Sequence, residues 1–283
     1  MWQLNVMGQY SFASKIILGV FFAALALMFI YYSFKMYEMV YVLKRRKPLY
    51  THFYPVLKRL KRPQRDILKQ RFSFYGKLNK KQQLFFEHRV ASFISDKQFI
   101  GRKDFDVTDE MKVLISATAV MLTFGFRDFY IGLIDRIIIY PSEFYSKTNA
   151  NYHKGEFNPR LKALVMSWEH FLMGYEITND NLNLGIHEFA HAIHLNSLKE
   201  RDVSSTIFSD TFNELTDLLA DNKNLRDELL KSEYFRNYAY TNQYEFLAVI
   251  IENFIETPNE FYQQFPEVYG KTKQMLNFNF AGY

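Results

Sequence analysis

Gly185-Ile186-His187-Glu188-Phe189-Ala190-His191-Ala192-Ile193-His194 is the stretch whose reading decides the fold. It contains His-Glu-x-x-His, and its flanks read as helix. Asn179, Asp180 and Asn181 offer N-caps, while Leu182, Leu184, Ile186, Phe189, Ala190 and Ile193 repeat with helical period. On that helix His187 and His191 stand one turn apart on one face, so their imidazoles can converge on a single ion. Glu188 lies one residue on, near enough to hold a water at that ion but poorly placed to bind it beside both histidines. Two ligands and one general base form the division of labour of a hydrolytic metal centre. Short patterns of this kind also arise by chance, so the rest of the chain must supply a third ligand and a buried setting.

The composition narrows the donors. Hydrophobic residues make up 48% of the 283, enough for a sizeable core in one large domain or two small ones. Aromatics are plentiful, with 29 Phe and 20 Tyr, so rings must fill much of that core. The chain has no Cys, which excludes disulfides and thiolate zinc sites and leaves His and carboxylate to hold any ion. The net charge of +5 is polarised. Residues 35–81 carry fifteen Lys/Arg against two acids, whereas residues 82–283 carry nineteen against twenty-eight. The basic excess lies outside the part that holds the motif, which argues against a nucleic-acid partner.

Nineteen uncharged residues, Ile16 to Phe34, separate Lys15 from Lys35. At ~1.5 Å per residue they nearly match a ~30 Å hydrocarbon core, and Tyr31 and Tyr32 suit an interface. A cleaved signal peptide usually has a shorter apolar region and a small-residue cleavage site, which is not evident here. The reading is one transmembrane helix over 16–34, with lipid as its surroundings. Lys15 precedes it, and Lys35, Lys44, Arg45, Arg46 and Lys47 follow. Positive charge stays inside, so residues 1–15 are expected outside the cytoplasm and the remainder within, as a single-pass protein of the plasma membrane. The basic run also suits anionic headgroups. Residues 35–71 read as a juxtamembrane helix interrupted near Pro48 and Pro55, then a basic linker. A soluble domain is expected over 72–283.

Within that domain Asn79 caps a helix through Ile94, and Thr108 caps another through Phe124. Arg136-Ile137-Ile138-Ile139-Tyr140-Pro141 and Leu161 to Trp168 read as strands, with a loop or hairpin excursion between them. Tyr234 to Tyr244 is a turn, a helix follows through Ile255, Pro258 ends it, and a last helix covers roughly 259–276.

His194 is the nearest candidate for a third ligand. Two turns from His187, it sits roughly 10 Å along the axis, too far to share one tetrahedral ion comfortably. It is expected at the rim, in an outer layer of the site, or exposed. Glu214, Asp217 and Asp221 form an acidic stripe whose ordinary meaning is a solvated face. The helix from Tyr244 to Glu256 is more pointed, because Glu245, Glu252 and Glu256 share one face of an otherwise apolar segment. Carboxylates there need a metal or a hydrogen-bonding partner. Glu245 is the expected ligand and Glu252 an expected acceptor for a ligating histidine.

Residues 72–278 resemble the zinc-dependent peptidases typified by Mlc titration factor A. The resemblance rests on Ile137-Ile138-Ile139-Tyr140-Pro141, Val165-Met166-Ser167-Trp168, Leu184 to His191, Tyr238-Ala239-Tyr240 and Glu245-Phe246-Leu247-Ala248-Val249. It implies that His187, His191 and Glu245 bind Zn2+, that Glu188 is the catalytic base, and that Tyr238 is an oxyanion donor. It also implies an α+β, mainly helical zincin-like metallopeptidase domain with a small sheet, acting on peptide or protein substrates. Where the family tends to carry Asp after the motif, this chain has His194. The alternative expectation is a regulatory zincin-fold protein that grips a cytoplasmic partner such as a transcription regulator. An intact Glu188 favours the enzyme, since a pure binder has no use for a base.

Overall fold

The computed structural model describes residues 12–146 and 150–283. The chain divides into two compact units, Met1–Leu49 and Tyr50–Tyr283. Among the described residues the first holds one helix, α1 (Phe12–Arg45), whose best 18-residue window has a mean hydropathy of 2.3. It is long and apolar enough to cross a membrane, and the expected span 16–34 lies inside it. The helix continues through the basic flank and ends at Arg45, where Arg46 takes a left-handed φ of 50°, ahead of Pro48.

The second unit begins at Tyr50, so much of the stretch read as linker is folded into it. Here α2 (Arg62–Arg71) buries Leu68 in the core and packs on α5 (Asp109–Leu122). Between them run α3 (Ser73–Lys77), α4 (Lys80–Asp96) and β1 (Gln98–Gly101). Both expected caps are present, Asn79 accepting from Gln82 N and Thr108 from Met111 N. After α5 come β2 (Arg136–Tyr140), the hairpin β3 (Phe144–Ser146) and β4 (Asn151–His153), then β5 (Gly155–Asn158) and β6 (Ala163–Ser167). The sheet order is β1-β2-β6-β5, parallel except that β5 runs antiparallel to β6 and forms one edge. The domain is therefore α+β and mainly helical, as read.

From β6 the chain enters α6 (Trp168–Glu176), then α7 (Leu184–Lys199), which carries the motif. Next are α8 (Val203–Asp221), α9 (Lys223–Ser232), a 3-10 turn over Asn237–Tyr240 and α10 (Gln243–Glu256). Pro258 opens α11 (Pro258–Gln264), and Pro266 opens α12 (Pro266–Met275), because proline fits a first helical turn that needs no N–H partner. The single final helix expected from the sequence is thus two. Three nearly all-buried helices, α5, α7 and α10, form the centre, with α7 packed against both others. The abundant rings fill it: Phe86 meets Phe124 edge-on at 5.5 Å, and Phe254 meets Phe278 at 5.4 Å.

Arg89 is fully buried. Its guanidinium donates to the carbonyls of Thr51, Thr123, Phe124 and Phe126 and to Tyr54 Oη. Three of those acceptors follow the end of α5, where a helix leaves carbonyls without partners. Arg89 thus closes α5 and ties the Tyr50 segment to the domain.

Candidate metal centre and active site

The motif helix starts one turn later than the sequence implied. Its N-cap is Asn183, whose Oδ1 accepts from Ile186 N; Asn179, Asp180 and Asn181 lie in the turn before it. Glu256 holds that turn, accepting from Asn181 N at 2.9 Å and Asn183 Nδ2 at 3.1 Å. Burial pushes the Glu256 pKa up to about 7.

One turn apart on α7, His187 Nε2 and His191 Nε2 face each other at 3.1 Å. Glu245, in the first turn of α10, brings Oε2 to 3.1 Å from His187 Nε2 and 3.5 Å from His191 Nε2. One donor atom from each residue falls within 4.8 Å of the others. Glu245 Oε2 is buried yet lacks a well-formed hydrogen bond. An orphaned carboxylate oxygen facing two imidazole nitrogens that also face each other is a cradle for a cation. The charges agree. Glu188, Glu245 and Glu252 stand against the single guanidinium of Arg236, an excess that a divalent ion offsets.

The acidic face of α10 splits into three destinations. Glu245 joins the histidines and Glu256 secures the turn before α7. Glu252, 1% exposed, accepts from His187 Nδ1 at 2.8 Å. Its carboxylate also pairs with both terminal nitrogens of Arg236, which donates in addition to the Asn181 carbonyl. Burial alone lowers the His187 pKa, but Glu245 and Glu252 outweigh it and push it up to about 9. Burial likewise raises Glu245, yet the two histidines hold it well below the ordinary carboxylate range. Glu188 has its pKa raised by burial, against the pull of His187 and His191.

Glu188 lies against β5. A Cβ placed on Gly155 falls 2.6 Å from Glu188 Oε1 and 2.7 Å from Leu184 Cδ1, so only glycine lets the strand approach this closely. His187, Glu188, Gly155, Arg236 and Tyr238 line one cleft of about 470 Å3. Tyr238 is 51% exposed there, with its ring 6.0 Å from that of His187. Burial of its inner side and the Glu245 charge push its pKa up to about 12.

The structure brings together the five residues singled out as ligands, base and oxyanion donor, and joins Glu252 to His187. It does not bring His194. That residue is neither at the rim nor exposed: it is 3% exposed, packed between Phe212, Phe208 and Tyr244, and both its ring nitrogens are buried without partners. Burial, then the His191 charge, lowers its pKa to about 4, so it is a neutral core ring. The face of α7 that holds it packs on Phe208 and Phe212 of α8 and on Tyr244 at the start of α10, away from the carboxylate of Glu245. Glu214 of the acidic stripe pairs with Lys271 at 2.7 Å, far in role from any ion. Arg236 and Gly155 escape sequence reasoning. Each is a single residue in a turn or edge strand, and nothing periodic marks it.

Among known proteins the chain is similar to slr2042, an uncharacterised protein of Synechocystis sp.. The two are 26% identical over 225 residues, covering 72% of this chain and 79% of the relative. Residues 56–277 match the glucose-regulated metallopeptidase M90 family, a match that spans the cation cradle, the Gly155 strand and all of α10. The chain belongs to that metallopeptidase family.

Proposed function

We propose that the protein is a membrane-anchored zinc peptidase with its catalytic domain in the cytoplasm. The observation that carries this reading is the convergence of His187, His191 and Glu245 beside a buried Glu188 on the wall of a cleft. Two imidazoles and one carboxylate suit a catalytic zinc ion, which keeps a position for water or substrate. When bound, zinc lowers the pKa of a water and polarises a carbonyl. Glu188 takes the proton of the attacking water and delivers it to the departing amine, and burial brings its pKa towards the working range for that exchange. Glu252 accepts from His187 Nδ1, which fixes the tautomer that leaves Nε2 free for the ion, and Arg236 anchors Glu252. Tyr238, protonated at neutral pH, donates to the developing oxyanion.

The substrate is a peptide or protein segment. β5 pairs with β6 on one side, and among the described residues no strand covers its other edge. An extended peptide added to that edge would pass Glu188 at Gly155. The anchor is α1, and the basic residues after it support an inside catalytic domain.

Metal analysis and a peptide-library digest of wild type against Glu188→Gln test the reading. Cleavage should fall about 100- to 10,000-fold at unchanged zinc content. Equal cleavage by both would mark the activity as a contaminant and favour the regulatory binder. A reporter active only outside the cytoplasm, fused after Tyr283, should be silent; a bright signal would overturn the topology.

A further inference from the structure

A second cleft, of about 410 Å3, is lined by Lys58, Arg59, Arg65, Lys69 and Lys80, with Glu87 as its single carboxylate. Three pieces of chain deliver these cations. The irregular stretch before α2 carries Lys58 and Arg59, α2 presents Arg65 and Lys69 one turn apart, and Lys80 opens α4 directly after its cap. Glu87 is already engaged: it is buried, and it accepts from Arg65 Nε at 2.9 Å and Tyr75 Oη at 2.7 Å. Lys58 Nζ donates to a neutral acceptor, Ser95 Oγ, at 2.9 Å. Arg59, Lys69 and Lys80 have no acidic partner among the described residues.

Like charges gathered around one concavity repel, and the positive end of the α4 dipole adds to the field. Between Tyr50 and Lys81 there are ten Lys/Arg and one acid, so the local chain offers little counter-charge. An anion from outside would balance the site. Arg and Lys together, in a cleft of this size, match the oxygens of a phosphate group. Exposed apolar side chains accompany the cations: Leu84 lines the cleft, and Phe53 and Val56 just precede Lys58 in the chain. Cations beside exposed apolar groups are the pairing that settles at a lipid interface.

We propose that this cleft binds a phosphate-bearing anion and that the headgroup of an acidic phospholipid supplies it. The lipid source rests on α1 as a membrane span; the phosphate chemistry is independent of the peptidase reading.

The chain has no Cys, so single cysteines report cleanly. Full-length protein carrying Gln83→Cys, inside the cleft, and separately Asn224→Cys, exposed on α9 as a reference, is placed in nanodiscs. One set is phosphatidylcholine, a second contains about 30% phosphatidylglycerol, and a third is phosphatidylcholine with inorganic phosphate. A neutral maleimide should label position 83 several-fold more slowly in the phosphatidylglycerol set, with position 224 unchanged. Each cation removed should weaken binding about fivefold, so Lys69→Gln with Lys80→Gln should abolish the protection. Arg59→Gln, on the irregular stretch, is a second variant should the double one misfold. Protection by inorganic phosphate alone would uphold the site and overturn the lipid as its source. Equal labelling in all three sets, or protection that survives the substitutions, would overturn the site. Zinc content and peptide cleavage should be the same in these variants as in wild type, which separates failure here from failure of the peptidase reading.

Discussion

Replacing Glu252 by Gln removes one charge and almost no volume from a side chain that is 1% exposed. In the wild type its carboxylate accepts from His187 Nδ1 at 2.8 Å and pairs with Arg236 on its other side. The amide oxygen of Gln can still accept from one of these partners, but its NH2 must then face the other donor. Either the His187 ring loses the group that fixes its tautomer, or Arg236 keeps only the Asn181 carbonyl and its charge is left without a counter-charge. Changing such a partner of a ligating histidine costs about 10- to 100-fold in metal affinity. Breaking a fully buried ion pair costs about 3–5 kcal/mol. Arg236 is 27% exposed, so solvent recovers part of that and a loss of roughly 1–2 kcal/mol is expected. The assays are competition for zinc against a chelator of known affinity, and thermal unfolding with and without zinc. Glu252→Gln should bind zinc about 10- to 100-fold more weakly, and zinc should raise its melting temperature by less. An affinity within about twofold of wild type, with the fold intact, would refute the claim that Glu252 orients a zinc-binding His187.

Gly155→Ala forces its Cβ to within 2.6 Å of Glu188 Oε1, so Glu188 must move; displacement of a catalytic group by about 1 Å costs on the order of 100-fold in kcat, read by peptide cleavage at unchanged zinc content. Tyr238→Phe should lower cleavage about 10- to 1,000-fold, a smaller loss than that for Glu188→Gln, with zinc binding retained. His194→Phe should leave zinc binding intact and change the acid limb of stability. The folded His194 pKa, about 4, lies below the ordinary 6.5, so the unfolded chain binds the extra proton and wild-type stability falls as pH drops through that window. Denaturant melts at pH 7 and pH 5 should therefore differ less in the variant, and an unchanged difference would count against a buried neutral ring. Arg89→Met strips donors from four carbonyls and should destabilise the domain by about 3 kcal/mol or more in the same melts, with zinc affinity unaltered in the fraction that stays folded.

Local rules decide much of this molecule from the sequence. The spacing of His187 and His191 places both imidazoles on one face because a helix repeats every ~3.6 residues, whatever surrounds it. Caps at Asn79 and Thr108, the Ile137-Ile138-Ile139 strand and the long apolar α1 follow from equally short-range preferences. The three acids on one face of α10 announce partners, since an apolar helix that buries carboxylates must satisfy them. What each acid meets is a different matter. Only the packing of α10 against α7 sends Glu245 to the histidines, Glu252 to His187 and Arg236, and Glu256 to the turn before the motif. The same packing turns His194 into the core against α8, where helical spacing alone left it at the rim, in an outer layer of the site, or exposed. Arg236 and Gly155 act through contacts with groups distant in sequence, and such isolated positions leave no period to read. Periodicity records which face of an element is buried; the identity of the neighbour exists only once the elements have packed.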